Sequence, residues 1–248
     1  MAILMSLPVP DGLVCLTFDD GVKSQHSFVA PILEEAGFGA TFYISEGLRF
    51  LEDKTRYMTW EEAADLDKRG FEIGNHTRAH KNVTTQTDEE LLADIQHIDS
   101  RCEEYGIRKP TTFCYPGYSN GPDAVNLLLK HGFEFARRGT APEVVYDREG
   151  GRGPAYDPSS HDPLLIPTTG AAGPSFSEDD FKWSVDQAIG GKVCVLTLHG
   201  VPDLDHAWVH TDPKVFESYV RYLSENNCSV IALRDLNLHS QTNGRTSP

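Results

Sequence analysis

Short apolar runs alternate along the chain with amphipathic stretches that have the spacing of helices. The runs predicted to be strands are residues 13–18, 40–45, 71–75, 111–115, 133–137, 164–167, 193–199 and 229–233. A helical stretch between successive strands predicts parallel strands joined by right-handed crossovers. The pattern therefore favours an α/β fold of the (β/α) barrel type, with an open doubly wound sheet as the alternative.

Polar and glycine residues mark the ends of the predicted helices. Thr59 with Glu62, and Thr87 with Glu90, have the spacing of a capping box, in which side chains satisfy free backbone N–H groups. Glycine tolerates a positive φ and is the expected residue at a helix C-terminus. It stands directly before an apolar run at Gly37, Gly70, Gly106 and Gly132.

One segment does not fit the repeat. Residues 139–162 are rich in glycine, proline and aspartate and are too long for a plain connection, which predicts a functional loop beside the site. The length of 248 residues is typical of one large domain, predicted to span residues 1–239. The polar residues 240–248 are predicted to form a flexible tail.

Charge narrows the range of partners. The chain has 37 acidic and 22 basic residues, a formal net charge of -15, which disfavours nucleic acid and anionic membranes as partners. No apolar run is long enough to span a membrane, and residues 1–10 do not resemble a secretory signal. The chain as written is thus predicted to be cytoplasmic, or secreted if a leader has been removed.

The five cysteines form no CxxC pair, which disfavours a disulfide framework or a thiolate metal site.

Three polar clusters follow predicted strands directly. The first is Asp19 with Asp20, the second is His76 with His80, and the third is His199. The i, i+4 spacing of His76 and His80 places both on one face if the segment forms a helical turn. Each has a common structural explanation when taken alone: a turn, a surface pair and a hydrogen-bonded histidine. Together they lie at the carboxyl ends of parallel strands, where a barrel builds its site, and they provide metal ligands and proton-transfer groups. The combination predicts a metal-dependent hydrolase.

The same segments resemble a known family. Residues 17–21 (TFDDG), 76–80 (HTRAH) and 196–199 (LTLH) are similar to the first, second and last motifs of the polysaccharide deacetylases, the NodB-homology or carbohydrate esterase family four. The resemblance implies a distorted (β/α) barrel of seven or eight strands, with residues 1–239 as its catalytic domain. It also implies metal-dependent removal of an acetyl group from an N-acetylated sugar.

The resemblance also implies roles for individual residues. Asp20, His76 and His80 would bind a divalent metal, most readily Zn²⁺, with Co²⁺, Fe²⁺ or Ni²⁺ as alternatives. Asp19 would be the general base and His199 the general acid. Two further positions, Tyr115 and the backbone N–H of Gly117, would contact the substrate or its oxyanion.

The middle motif departs from the family pattern. Cys114 stands where the family has the arginine that orients the base. We expect Arg137 or Arg138, at the end of the fifth predicted strand, to replace it, because an arginine can hold a carboxylate by two hydrogen bonds. The alternative is that both arginines are solvated. The residue that orients His199 is not assigned.

The segment after His199 is predicted to cover the site. Trp208 could stack on a sugar ring or instead close the rim of the barrel by packing. His206 and His210 repeat the i, i+4 spacing, but no strand-end carboxylate precedes them, which favours surface positions.

Three functions remain open on the sequence. The first is deacetylation of an N-acetylated polysaccharide or oligosaccharide. The second is hydrolysis of a small non-sugar amide, cyclic imide or ureide on the same scaffold. The third, a catalytically silent ligand-binding protein, is disfavoured because the ligand and proton-transfer residues are all present.

Overall fold

The computed structural model describes residues 7–145 and 151–239, so the predicted tail 240–248 lies outside the described residues. The strands are β1 Leu13–Phe18, β2 Thr41–Ile44, β3 Glu72–Asn75, β4 Thr112–Cys114, β5 Phe135–Arg137, β6 Gly151–Arg152, β7 Gly170–Ala171, β8 Cys194–Leu198 and β9 Ser229–Ile231. The α-helices are α1 Ala30–Ala36, α2 Trp60–Lys68, α3 Asp88–Glu104, α4 Pro122–His131, α5 Glu178–Asp186 and α6 Pro213–Glu225.

The strands form one curled sheet in the order β5-β4-β3-β2-β1-β8-β7-β6, with β9 paired to β1. All pairs are parallel except β6 with β7. β1 is central and all six of its residues are buried, which explains why its sequence is a continuous apolar run rather than an alternating one. The prediction of a single α/β domain with a distorted barrel is confirmed, and the open doubly wound alternative is not the one observed.

The predicted strand 164–167 is wrong. A 3₁₀ turn occupies Pro163–Leu165, because Asp162 caps it through the Leu164 N–H and Pro163 fits the first helical position. The next residue, Ile166, joins β5 by a single bridge to Arg137. A few residues later, Gly170 pairs with β8. Residues 166–170 therefore connect β5, at one edge of the sheet, to β8 on the other side and close the barrel.

The predicted helix boundaries agree with the structure. Both capping boxes are formed: Thr59 and Thr87 accept from the backbone of Glu62 and Glu90, whose carboxylates accept from the cap residues in return. Gly37 and Gly132 end α1 and α4 with φ of 70° and 91°. Because β1, β3 and β8 run parallel in the same sheet, their carboxyl ends open at one face of the barrel. No helix in the described part of the chain is long and apolar enough to cross a bilayer.

Candidate active site

Two adjacent carboxylates leave the end of β1. Asp19 and Asp20 are 2% and 4% exposed, and Asp20 has a φ of 75°. A left-handed conformation is costly for a non-glycine residue and marks functional sites in many proteins. The turn sends the two side chains in different directions, which gives them different neighbours.

The segment after β3 presents the two histidines. Thr77 and His80 also have positive φ values, 63° and 51°, so residues 76–80 form an irregular turn and not the helical turn that the i, i+4 spacing suggested. The buried Asn75 holds this turn, since its Oδ1 accepts from the Thr77 N–H at 2.9 Å and its Nδ2 donates to Ile95 O at 3.0 Å. The turn brings both imidazoles onto Asp20.

The atoms of this cluster suit a cation. His76 Nδ1 lies 2.8 Å from the carbonyl oxygen of Cys114, which can only accept, so Nδ1 carries the proton and Nε2 presents a lone pair. The Nε2 atoms of His76 and His80 lie 3.4 and 3.3 Å from Asp20 Oδ1, and 3.1 Å from each other. Asp20 Oδ1 is buried without a hydrogen-bond partner among the described residues. Two imidazole nitrogens and one carboxylate form a donor set typical of catalytic zinc.

Electrostatics within the cluster support neutral imidazole at His80. Burial lowers the pKa of His80 to about 4. Burial alone would raise the pKa of Asp20, but its contacts with the imidazoles of His76, His199 and His80 lower it below its ordinary value. An ionised carboxylate beside neutral imidazole is the protonation state that metal binding requires.

Asp19 lies beside this cluster and is held by Arg137. Nη2 of Arg137, a fully buried residue, lies 2.6 and 2.5 Å from the two carboxylate oxygens. Burial acts to raise the pKa of Asp19, but the guanidinium and the neighbouring imidazoles outweigh it and lower that pKa. The rings of Tyr43 and Tyr118 lie 5.7 and 5.6 Å from the guanidinium carbon, so aromatic faces hold the arginine in place.

Cys114 has a small side chain, which leaves room beside Asp19 for the Arg137 guanidinium. The thiol lies 2.7 Å from Arg137 Nη2 and 3.5 Å from Asp19 Oδ2. Asp19, His76 and Cys114 also bring three ligand atoms together, but burial raises the pKa of the thiol, and the adjacent guanidinium opposes a cation. The Asp20 cluster is therefore the better metal site.

Arg138 does not reach Asp19. Its guanidinium pairs with Glu143 at 2.8 Å and donates to the backbone of Leu165 and Gly139. Of the two arginines named from the sequence, the structure thus places only Arg137 beside Asp19.

His199 follows β8 and faces both carboxylates. Its Nε2 lies 3.8 Å from Asp19 Oδ2 and 3.9 Å from Asp20 Oδ2. Its Nδ1 is buried without a hydrogen-bond partner in the described chain, so no side chain described here orients the ring through that atom. The fully buried Gln25 instead holds the backbone, because its Nε2 donates to the carbonyls of Asp19 at 2.5 Å and His199 at 3.3 Å. No sequence pattern pointed to Gln25, which begins the π-helical turn Gln25–Val29.

These groups surround a cavity of about 360 Å³. Its floor carries the carboxylates and the three imidazoles, and its wall adds Leu48, Gly117, Tyr118, His206, Trp208 and Val209. Trp208 is 52% exposed at the rim and does not plug the barrel. Tyr115 lies elsewhere: it is fully buried, and its hydroxyl donates to Leu164 O at 2.9 Å.

Two residues of the cavity wall, Tyr118 and His206, were not predicted from the sequence to lie at the site. Tyr118 has a φ of 63°, and Gly139 is required beside it, since a Cβ there would lie 2.6 Å from the Tyr118 ring. His206, predicted to lie on the surface, lines the cavity. The described residues of the segment 139–162 do not line it; several of them surround a separate open pocket with Trp183 and Lys192.

The fold and the site define a distorted-barrel protein with an Asp-His-His cluster suited to a cation. The family model described as polysaccharide deacetylase matches residues 6–136, slightly more than half of the chain. The chain belongs to the polysaccharide deacetylase family.

Individual relatives are distant. A peptidoglycan-N-acetylglucosamine deacetylase from Bacillus cereus is 29% identical over 130 residues, which cover 52% of this chain and 56% of the relative. The chain thus aligns with little more than half of that protein's length. The solved peptidoglycan deacetylase PdaC from Bacillus subtilis has a TM-score of 0.58 at 17% identity, with 93% of this chain and 92% of that chain covered. A pseudoenzyme of the same family from Bacillus anthracis has a TM-score of 0.61 at 16% identity, with 94% of this chain and 68% of that chain covered.

Proposed function

We propose that the protein is a metal-dependent hydrolase that removes the acetyl group from an N-acetylated sugar, cleaving a C–N bond other than a peptide bond. The observation that carries the proposal is the pairing of two adjacent sites. Asp20, His76 and His80 converge on one point, while Asp19 is kept apart as an ionised base by Arg137. Membership of the family and its named deacetylases support the reaction class.

The donor set favours Zn²⁺, and Co²⁺, Fe²⁺ or Ni²⁺ also accept two imidazoles and a carboxylate. When bound, such an ion polarises the acyl carbonyl and makes a nearby water more acidic. Asp19 takes the proton from the attacking water, and His199 donates a proton to the departing nitrogen. The backbone N–H of Gly117, at the cavity wall, donates to the carbonyl oxygen as it gains negative charge.

Arg137 serves this chemistry as a positioning residue. It contacts the base and not the open cavity, since it is fully buried. Its contact with both oxygens fixes the carboxylate plane and keeps Asp19 ionised. In this chain the arginine beside Asp19 comes from the end of β5, whereas the family pattern has it at the end of β4, where Cys114 stands.

Trp208 supports a sugar as substrate. Its ring is half exposed and borders the cavity, where it can pack against the apolar face of a pyranose. The described cavity wall contains no lysine or arginine, which suits a neutral sugar better than an anionic one.

A small amide, cyclic imide or ureide is the second candidate. The cavity of about 360 Å³ lies near the lower end of the usual range for ligand pockets, roughly 300 to 1,000 Å³. That volume holds one ring, which a compact substrate would fill without any polymer.

A substrate panel separates the two candidates. Purified protein, stripped of metal and reloaded with Zn²⁺ or Co²⁺, is assayed on N-acetylated chitooligosaccharides, acetyl-xylan and hydantoin-like compounds. The proposal expects acetate release from the chitooligosaccharides. Turnover of the cyclic compounds alone would reject the sugar assignment, and no turnover with metal bound would indicate a silent member of the family.

A further inference from the structure

His206 is fixed in the cavity wall although nothing in its sequence context marks it as functional. Its side chain is 20% exposed, and its Nδ1 lies 4.0 Å from Asp20 Oδ2. The ring centroid lies 5.1 Å from that of Trp208 at an angle of 55°. The two side chains therefore form adjacent parts of the same cavity wall.

The loop that carries His206 is held by buried carboxylates. Asp203, whose side chain is fully buried, accepts from the N–H groups of Asp205 at 2.9 Å and His206 at 2.7 Å. Asp205 in turn accepts from the Tyr57 hydroxyl at 3.0 Å and pairs with Arg56. Because both ends of this turn are anchored, the imidazole is positioned before a ligand arrives.

Two other roles for His206 fit the geometry less well. The atoms that converge to hold a cation come from Asp20 Oδ1, His76 and His80, whereas His206 faces the second oxygen of Asp20. His199 is the imidazole that lies within 4 Å of both carboxylates, at 3.8 and 3.9 Å, which makes it the better proton donor.

We propose that His206 is a specificity-determining residue that hydrogen-bonds a hydroxyl of the same sugar ring whose acetamido group is cleaved. Imidazole can donate to or accept from a hydroxyl, and the adjacent Trp208 ring provides the apolar face on which that ring packs. The carboxylates of the floor repel an anionic group at this position. This inference rests on the proposed function, because it assigns the ligand of the same cavity.

The test compares three variants on an N-acetylglucosamine oligomer. His206→Ala is expected to lower kcat/KM about ten- to a hundredfold, mostly through KM, since an uncompensated polar contact is lost. His206→Asn, whose amide reaches the position of Nδ1, is expected to recover most of that loss. Leu204→Ala, on the same loop and 70% exposed, controls for disturbance of the loop and should match the wild type.

Substrates that lack one hydroxyl make the test specific. The penalty of His206→Ala should disappear on either the 3-deoxy or the 6-deoxy oligomer, and the bound metal content should equal that of the wild type. An equal penalty on every oligomer, an unchanged KM, or a loss of metal would overturn the inference while leaving deacetylation intact. If the wild-type protein turns over no N-acetylated sugar, the proposed function fails and this inference fails with it.

Discussion

Arg137 on β5 contacts both carboxylate oxygens of Asp19, the residue that follows β1, through Nη2, at 2.6 and 2.5 Å. The two residues are 118 positions apart in the chain and belong to strands that are not neighbours in the sheet. The ion pair crosses the barrel interior, and Cys114 on β4 leaves room for it.

Replacement of Arg137 should impair catalysis far more than replacement of Arg138. Arg137→Ala frees the Asp19 carboxylate, and a displacement of about 1 Å in a catalytic group costs roughly 100-fold in kcat. Arg137→Lys keeps the charge but loses the second nitrogen, which donates to Thr168 Oγ1, so its turnover should lie between that of Arg137→Ala and that of Arg138→Ala. Steady-state kinetics and metal content would be measured together. Equal turnover by Arg137→Ala, Arg138→Ala and the wild type would refute the positioning role.

Removal of the cation should abolish turnover reversibly. Dialysis against a chelator is expected to eliminate activity, and Zn²⁺ or Co²⁺ should restore it. His80→Ala should lower the affinity for the metal at least about tenfold, because one of three protein ligands is lost. His239→Ala, which replaces a partly exposed histidine near the end of the described chain, is the matched control. Equal metal content in both variants would contradict the assigned site.

The turn that carries His80 packs closely against Gly47, a residue from an earlier part of the chain. A Cβ on Gly47 would lie 2.5 Å from the backbone C and O of Ala79, so Gly47→Ala must displace residue 79 and with it His80. We expect metal affinity to fall about tenfold and the free energy of unfolding to fall by about 1 to 3 kcal/mol. Gly151→Ala, which meets nothing within 4 Å, should behave as the wild type. Isothermal titration with Zn²⁺ and urea unfolding measure the two effects.

Glu72 at the start of β3 should make stability depend on pH. It is buried and accepts from Thr41 Oγ1 at 2.6 Å, Thr112 Oγ1 at 2.7 Å and the Arg234 N–H at 2.9 Å. Burial raises its pKa above the ordinary value despite these bonds. The folded state therefore binds the proton more tightly than the unfolded state, and stability falls as pH rises from about 4.3, the ordinary pKa of glutamate, through the raised pKa.

Glu72→Gln removes this ionisation. Its amide oxygen can still accept from Thr41 Oγ1 and the Arg234 N–H, while its NH2 group donates to Thr112 Oγ1, so the third bond is kept with its direction reversed. The variant should gain stability relative to the wild type as pH rises through that window. Urea unfolding at about pH 4.5, 6 and 8 measures the difference, with the exposed Glu35→Gln as control. A difference that stays constant with pH would show that the burial of Glu72 carries no titration cost.

Local features were readable from the sequence. Seven of the eight predicted strands are present, because apolar runs bounded by caps and glycines depend on neighbouring residues alone. The eighth, residues 164–167, failed because Asp162 and Pro163 favour a 3₁₀ turn more strongly than Leu164 and Ile166 favour a strand. The strand-end positions of Asp19, Asp20, His76, His80 and His199 followed from the same pattern and the rule that parallel strands end at one face.

What the sequence alone determined is thus the order of strands and helices and the presence of metal-ligand and proton-transfer residue types at strand ends. The tertiary structure decided which of them meet. The choice of Arg137 over Arg138 depends on the direction in which alternate residues leave β5, since neighbouring side chains point to opposite faces. The placement of His206 in the cavity depends on Asp203, which holds the turn locally, and on Asp205, which accepts from the Tyr57 hydroxyl 148 positions away in the chain. Such long-range contacts arise only when the barrel closes, because they join segments that are distant in the chain and have no local pattern of their own.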